Sequence, residues 1–477
     1  MNLNIYTQAD WQAVIPLFVV AATALVVLFV DLVSRRSASA TVSAGTAIAG
    51  LVLAGVLCAR TYGHAFDAFH GGFVLGGFAV VFEEIVIVAA IFSLALYRLS
   101  GQSHNFAGVV ALLLWAASGA MLMAGAANLM TIFLGLELLS LALYCLCGLA
   151  NRATARESAL KYLILSSTAT GFLLFGMALL FGAAGDVTLA SIAVVAAAGG
   201  PLFWFGCGLF FVGIAFKLSL MPFHVWTPDV YEGAPLPVTA FMSVVTKAGT
   251  LAVFARFVYA VLPAHTGPAV LLPVWVAAGI SMIGGNVGML AQTDMKRLLA
   301  YSGIAQIGYI VAALAGGSAL GIRYAIYYLV AYTFMNLGAF AVVALMSGDA
   351  EEGSRIANFN GLARRRPALA AAMTIFLLAL AGFPPTAGFL GKILILSTNV
   401  AAGYAWLGGL LIIGTAISLY AYLKIVRAMY DRSEPAGVAD VRPSAPLAWL
   451  GVGVCLAGVI VMTFYPLTPS NVLPLAK

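Results

Sequence analysis

Along this chain the polar positions are few and bunched, and the apolar stretches between them run close to 20 residues each from one end to the other. A helix needs about 20 apolar residues to cross a hydrocarbon layer about 30 Å thick. Fourteen such spans are predicted: 12–32, 41–59, 74–97, 107–124, 127–149, 160–182, 203–226, 235–262, 270–290, 297–316, 322–347, 369–393, 405–428 and 445–465. The short alternating segments of a transmembrane barrel do not fit runs of this length. The expected fold class is therefore an all-α polytopic membrane protein. The first span begins near residue 12 with no basic stretch before it, so it reads as a mature helix and not as a cleaved leader.

Two spans are interrupted. The seventh contains AFKLSLMPFHVW (215–226) and the twelfth AGFPPTAGFLGK (381–392). Proline removes a backbone donor and clashes with the preceding turn, so Pro222, and Pro384 with Pro385, are expected to open their helices. Broken backbone at membrane depth is tolerated where it is buried in protein or lines a cavity. Five spans separate the two breaks, so the broken helices run in opposite directions. That predicts two inverted five-helix repeats, spans 4–8 and 9–13, with an ion route near the midplane. The expected organisation is a three-helix segment at 1–106, a first repeat at 107–262, a second at 270–428, and a loop with a final helix at 429–477.

Charge orients the bundle. With fourteen spans, sixteen Lys and Arg fall on one side: Arg35, Arg36, Arg98, Arg152, Arg156, Lys161, Lys296, Arg297, Arg355, Arg364, Arg365, Arg366, Lys424, Arg427, Arg432 and Arg442. Four fall on the other: Arg60, Arg256, Arg323 and Lys477. The basic side belongs in the cytoplasm, which sets both termini outside. The net charge of +6 is thus a topological bias, and no basic patch with interleaved aromatics points to nucleic acid. The longest loop, 348–368, is too short for a soluble catalytic domain, so any chemistry lies within the bundle. The five cysteines sit in or beside apolar spans, and Cys145 and Cys147 are two apart and face different ways. No metal or disulfide site is expected.

Four charges remain at mid-span: Glu137, Lys217, Lys247 and Lys392. A charge at the bilayer centre costs at least about 2.5–3.5 kcal/mol, so each must reach an interface, find a partner or line a water-filled path. Each lysine is either a snorkelling side chain or a buried amine whose hold on its proton depends on a nearby carboxylate. Glu137 is either a structural acid or the partner of Lys217 across a helix interface. His224, beside the first break, is either a satisfied core histidine or a proton relay between Lys217 and Lys247. Tyr301, Ser302, Gln306, Tyr309, Tyr327, Tyr328, Tyr332, Thr333 and Asn336 together are polar enough to hydrate a channel in the second unit. Asp229 and Glu232 read as cap or loop charges. Glu83 and Glu84, about ten residues into span three, mark either a partner surface or a displaced span.

Three stretches carry a resemblance. KLSLMPFHVWTPDVYEGAPLPVTAFMSVVTKAG (217–249), AQTDMKRLLAYSGIAQIGY (291–309) and AGFPPTAGFLGK are similar to the signature motifs of the antiporter-like, Mrp-related membrane subunits of respiratory complex I, over about residues 75–430. The form TPDVYEGAPLPV, a lysine rather than a glutamate at 392, and the short stretch after span fourteen resemble the N-type branch of that family. The L-type branch would carry a long lateral helix.

The resemblance implies fourteen helices, with Glu137 on helix five, Lys217 on broken helix seven, Lys247 on helix eight, Lys392 on broken helix twelve, and His224 just after the first break. It implies proton transfer through these residues, coupled to electron transfer from NADH to quinone. It implies no cofactor in this chain, with FMN and iron–sulfur clusters in partner subunits and quinone as a substrate of the complex. The implied partners are an antiporter-like M-type subunit, small K-, J- and A-type subunits, the bilayer and, indirectly, the peripheral redox arm, in a bacterial inner membrane. Glu83 and Glu84 match none of its motifs. The competing readings are a multisubunit sodium/proton antiporter subunit, a membrane subunit of a proton-pumping hydrogenase, and a passive scaffold.

Overall fold

The computed structural model describes residues 7–34, 39–99, 105–262, 271–347, 351–431 and 446–465. Arg35, Arg36, Arg432, Arg442, Lys477 and both chain ends lie outside the described residues. The N-terminal segment is α1 (Gln8–Val33), α2 (Ser39–Arg60), a hairpin of β1 (Phe66–Ala68) and β2 (Phe73–Leu75), and α3 (Gly77–Leu99). Next come α4 (Phe106–Gly125), α5 (Leu129–Cys147), α6 (Ala153–Ala184), α7 (Leu189–Ala196), α8 (Pro201–Leu218), α9 (Trp226–Gly233) and α10 (Leu236–Arg256), which continues as a π turn to Val261. The rest is α11 (Leu272–Leu290), α12 (Met295–Ala312), α13 (Ala319–Ser347), α14 (Leu362–Arg365), α15 (Pro367–Ala381), α16 (Ala387–Ala401), α17 (Ala405–Tyr430) and α18 (Pro446–Phe464).

Twelve of these helices are long and apolar enough to cross a membrane. The interrupted twelfth span supplies the shorter apolar helices α15 and α16. The hairpin and α7 were not expected from the sequence. The sixth helix starts at 153, not 160, because an extra polar stretch that carries Arg156 and Glu157 is helical too. The twelfth span runs to 401, not 393, so Lys392 sits inside α16 and not near its end.

Side chains fix where several helices start. Asn128 accepts the Thr131 N–H at the start of α5, Asp294 accepts those of Lys296 and Arg297 at α12, and Thr386 accepts that of Phe389 at α16. Such caps satisfy donors that a helix start leaves open. The loops gather at two ends. At one end the Ala127 N–H donates to Gly72 O, that of Leu189 to Ala127 O and that of Leu129 to Val187 O. At the other, Thr293 bonds Ile356 and Ala428 bonds Gly361. The second end holds Lys161, Arg297 and Arg355, and is the basic-rich end.

Packing pairs off alike in the two halves. The α4 helix packs on α5 and α10 as α11 packs on α12 and α17, and α6 meets both α8 and α9 as α13 meets α15 and α16. Close approach of α4 to α5 depends on Gly119, where a methyl group would lie 2.5 Å from the backbone nitrogen of Leu139. Both broken helices stop the same way. Ser219 (φ 63°) and Gly382 (φ 81°) are left-handed. The Leu220 N–H then bonds Ala215 O and the Phe383 N–H bonds Leu378 O, each at 2.9 Å. This closing turn satisfies carbonyls at the end of the first half-helix, and the prolines that follow prevent its continuation.

Candidate proton-transfer site

All three mid-span lysines are buried, with Lys217 2%, Lys247 1% and Lys392 3% exposed. None snorkels to an interface. Lys217 lies in the last turn of α8, where its Nζ donates to Ser140 Oγ of α5 at 2.7 Å and to Ser166 Oγ of α6 at 2.6 Å. The amine also lies 5.8 Å from the ring centre of Tyr144 and 5.2 Å from that of Tyr162. Glu137 stands one turn before Ser140, half-buried, and its Oε1 accepts a hydrogen bond from Thr170 Oγ1 at 3.1 Å. Among the described residues no ion pair joins Glu137 to Lys217. Of the two readings of Glu137, a direct contact with Lys217 is not what the structure holds: α5 turns Ser140 to the amine, and the carboxylate lies one turn away, on Thr170.

Lys247 lies in α10, which is buried from Pro237 to Ala255. Its Nζ donates to Tyr332 Oη at 3.0 Å and lies 5.0 Å from that ring's centre. Gly303 of α12 makes the space, since a methyl group there would collide with the amine. One turn before Tyr332 on α13, Tyr328 donates its hydroxyl to Gln306 Oε1 at 2.5 Å. Gln306 Nε2 donates to Leu380 O at 3.0 Å. Lys392 donates to the same Leu380 O at 3.3 Å and to Ala381 O at 2.8 Å. These are carbonyls at the end of α15, left without helical partners by the break. The Lys392 amine also lies 4.6 Å from the ring centre of Tyr309, whose hydroxyl accepts from Asn286 Nδ2 at 2.7 Å. Polar side chains of α13 and α12 thus lie between Lys247 and Lys392.

His224 is not part of this row. Its Nδ1 lies 3.3 Å from Pro222 O and its ring 6.4 Å from that of Tyr301, and among the described residues no hydrogen bond links it to a lysine. The polar residues of spans ten and eleven divide. Gln306, Tyr328 and Tyr332 join the row, and Ser302 meets Tyr422 at 2.5 Å. Asn336 donates to Ser243, Tyr327 to Met462 O, and Thr333 back to its own helix at Leu329 O.

A family model described as "NADH:quinone oxidoreductase/Mrp antiporter, TM" matches residues 126–418, a stretch that includes Glu137, all three lysines and His224. The chain belongs to this family. NADH-quinone oxidoreductase subunit N 1 of Symbiobacterium thermophilum is 40% identical, over 97% of either chain. Subunit N of Trichlorobacter lovleyi is 37% identical over 98% of this chain and 97% of its own. A chain of the respiratory complex I of Thermus thermophilus, solved with bound aureothin, superposes with a TM-score of 0.83 at 33% identity, covering 95% of this chain and 98% of that one. An Mrp complex chain from Dietzia sp. shares the fold, with a TM-score of 0.77 at 19% identity over 99% of this chain and 98% of that one.

Around the lysine row this family member carries a second polar layer. At the basic-rich end, Lys161 pairs with Glu157 at 2.8 Å and Asp229 at 3.1 Å, and Arg297 pairs with Asp229 at 2.7 Å and Glu232 at 2.8 Å. Asp229 and Glu232 are thus not plain cap or loop charges: α9 uses them to tie α6 to α12. Partial desolvation works against the charge on Asp229, but Lys161 and Arg297 outweigh it and hold the carboxyl below its ordinary range. Glu83 is only 1% exposed and accepts from Cys58 Sγ at 3.1 Å, so it faces α2 and does not mark a partner surface. Among the described residues no cluster of His, Cys, Asp and Glu is suited to a metal.

Sequence reasoning missed two features. The hydroxyls of α6 recur at every fourth position, Ser158, Tyr162, Ser166 and Thr170, a helical spacing that was readable. Asn399 lies seven residues beyond Lys392 on the same face of α16, 1% exposed, with neither amide atom partnered among the described residues.

Proposed function

We propose that this chain is the proton-translocating membrane subunit of a bacterial NADH:quinone oxidoreductase, in which the Lys217–Lys247–Lys392 row moves protons while redox chemistry proceeds in other subunits. The carrying observation is that three fully buried amines rest on hydroxyls and freed carbonyls, with no ion pair among the described residues to hold them as fixed charges. A change of field at one end alters the balance between Glu137 and Lys217 across the Ser140–Ser166 layer. Lys217 then exchanges a proton with Lys247 through water. Tyr332, Tyr328 and Gln306 lead on to Lys392, and Asn399 continues toward the opposite end. The reading includes fourteen spans, two inverted five-helix repeats, an inner-membrane location with both termini outside, and contacts with M-type and small K-, J- and A-type subunits. FMN and iron–sulfur clusters belong to the peripheral arm.

The test is Lys217→Ala on the chromosome. NADH-driven quinone reduction and proton uptake are measured together in inverted vesicles, with assembly followed on a native gel. The expected result is an assembled complex in which both activities collapse. Full activity in both would overturn the reading. The Mrp-type fold keeps a sodium/proton antiporter as the second reading, and it predicts sodium-driven proton exchange without NADH.

A further inference from the structure

The inward face of α6 changes character halfway along. Over the basic-end half it carries Ser158, Tyr162, Ser166 and Thr170, and beyond them Leu173, Gly176, Met177 and Leu180. Residues four apart on a helix share a face and lie about 6 Å apart along the axis. The lower rung opens on a polar cavity of about 630 Å³ between α6, α9 and α12, lined by Lys161, Asp229 and Arg297 among others. There Ser158 Oγ donates to Asp229 O at 3.2 Å. The upper rungs are already occupied: Ser166 accepts from Lys217 and Thr170 donates to Glu137.

Tyr162 is the rung between. Its side chain is fully buried and its hydroxyl has no partner among the described residues. Its ring stacks on Trp226 (4.7 Å, 13°) and meets Tyr144 edge-on (4.9 Å, 83°). Trp226 is tied to the break through Nε1, which donates to Phe216 O at 2.9 Å. On the other side of Trp226, at 6.4 Å, Tyr231 also has a buried hydroxyl without a partner among the described residues. Buried hydroxyls are costly unless paired, and where protein offers no partner ordered water does so. Of these two phenols, Tyr162 stands one helical turn from Ser158, which lines the cavity, and its ring centre lies 5.2 Å from the Lys217 amine.

We propose that the α6 hydroxyls form the proton inlet from the basic-rich face to Lys217, with Tyr162 as its relay. This deepens the function proposed above and rests on it. A proton arriving from water on the cavity side forms a new O–H bond on the Tyr162 oxygen. The phenol's own proton leaves toward Ser166 and the Lys217 amine, which becomes an ammonium. The phenol is regenerated, and nothing is oxidised or reduced. The titratable groups around Tyr162 are Lys217 of α8, Glu137, Tyr144 and Cys147 of α5, and Tyr231 of α9.

The experiment is Tyr162→Phe in the intact complex, which keeps the stacked ring and deletes the hydroxyl. NADH-driven proton uptake is expected to fall about a hundredfold with assembly unchanged. In a second arm, 3-fluorotyrosine at 162 changes phenol acidity at nearly constant shape. It is expected to shift the pH profile of proton uptake, which a purely structural ring would not do, and it decides the matter if Tyr162→Phe does not assemble. Lys217→Ala is measured alongside. If that variant abolishes pumping while both Tyr162 variants match the wild type, the inlet is overturned and the proposed function stands. If Lys217→Ala pumps at full rate, the function fails and the inlet fails with it.

Discussion

A buried amine in this protein is held by neutral oxygen. Lys217 has two serine hydroxyls, Lys247 a phenol, and Lys392 two carbonyls released by a helix break. Such partners accept hydrogen bonds from the charged amine and receive the proton of neither state, so they suit a group that changes charge. Asn399 shows the complementary case, a buried amide with both atoms unpartnered among the described residues. Each unpaired buried polar group costs about 1–3 kcal/mol, so Asn399→Leu should not lower stability if packing is the only role of the site. The expected result is an assembled complex with an unchanged or higher melting temperature and reduced proton uptake per NADH. A melting temperature that rises with uptake intact would remove Asn399 from the outward path. The four mid-span charges were legible in the sequence because an isolated charge in an apolar run stands out. Their acceptors were not, since Ser140 and Ser166 are ordinary residues until helix rotation points them at Lys217.

At the scale of the element, helix ends and helix contacts obey different kinds of information. Pro222 and Pro385 announce both breaks, and each lies three residues after the left-handed residue that ends its half-helix. The hairpin at 66–75 and the short helix α7 gave no comparable signal, because strands of three residues and a helix of eight have too few positions to show a period. Contacts are set by small residues. At Gly119 any side chain would enter the backbone of α5, and overpacking of this kind costs about 1–3 kcal/mol or more. Gly119→Val is therefore expected to reduce the assembled complex on a native gel. Gly409→Ala, where nothing lies within 4 Å, should leave it unchanged. Equal assembly of the two variants would show that α4 and α5 are free to separate.

At the scale of the whole molecule, Asp229 ties together helices from both halves through Lys161 and Arg297. The partners are partly exposed, so each pair contributes about 0.2–1 kcal/mol, and Lys161 and Arg297 keep Glu157 and Glu232 when Asp229 is lost. Because the Asp229 carboxyl is held below its ordinary value of 3.8, its contribution is present above that pH and is lost as pH falls through the lower folded value. Asp229→Asn should lower the melting temperature of the complex slightly at neutral pH and not at all below the folded value. An equal shift at both would mean that the loss is steric and not ionic. None of this network was visible as a network from the sequence, because Asp229 and Arg297 are 68 positions apart.

The sequence by itself determined that this is a bundle of membrane-crossing helices, that two of them are broken, and that one acid and three lysines stand at mid-span. Each follows from a local property: the length of an apolar run, a proline, an isolated charge. Only the tertiary structure decided that serine and not glutamate receives the Lys217 amine, that the Lys392 amine caps the first half of its own broken helix, and that one face of α6 leads from a polar cavity to Lys217. Those outcomes depend on the rotation and close packing of helices whose contacting residues are 51 to 85 positions apart for Lys217 and Lys247. Run length and local pattern carry no record of that rotation.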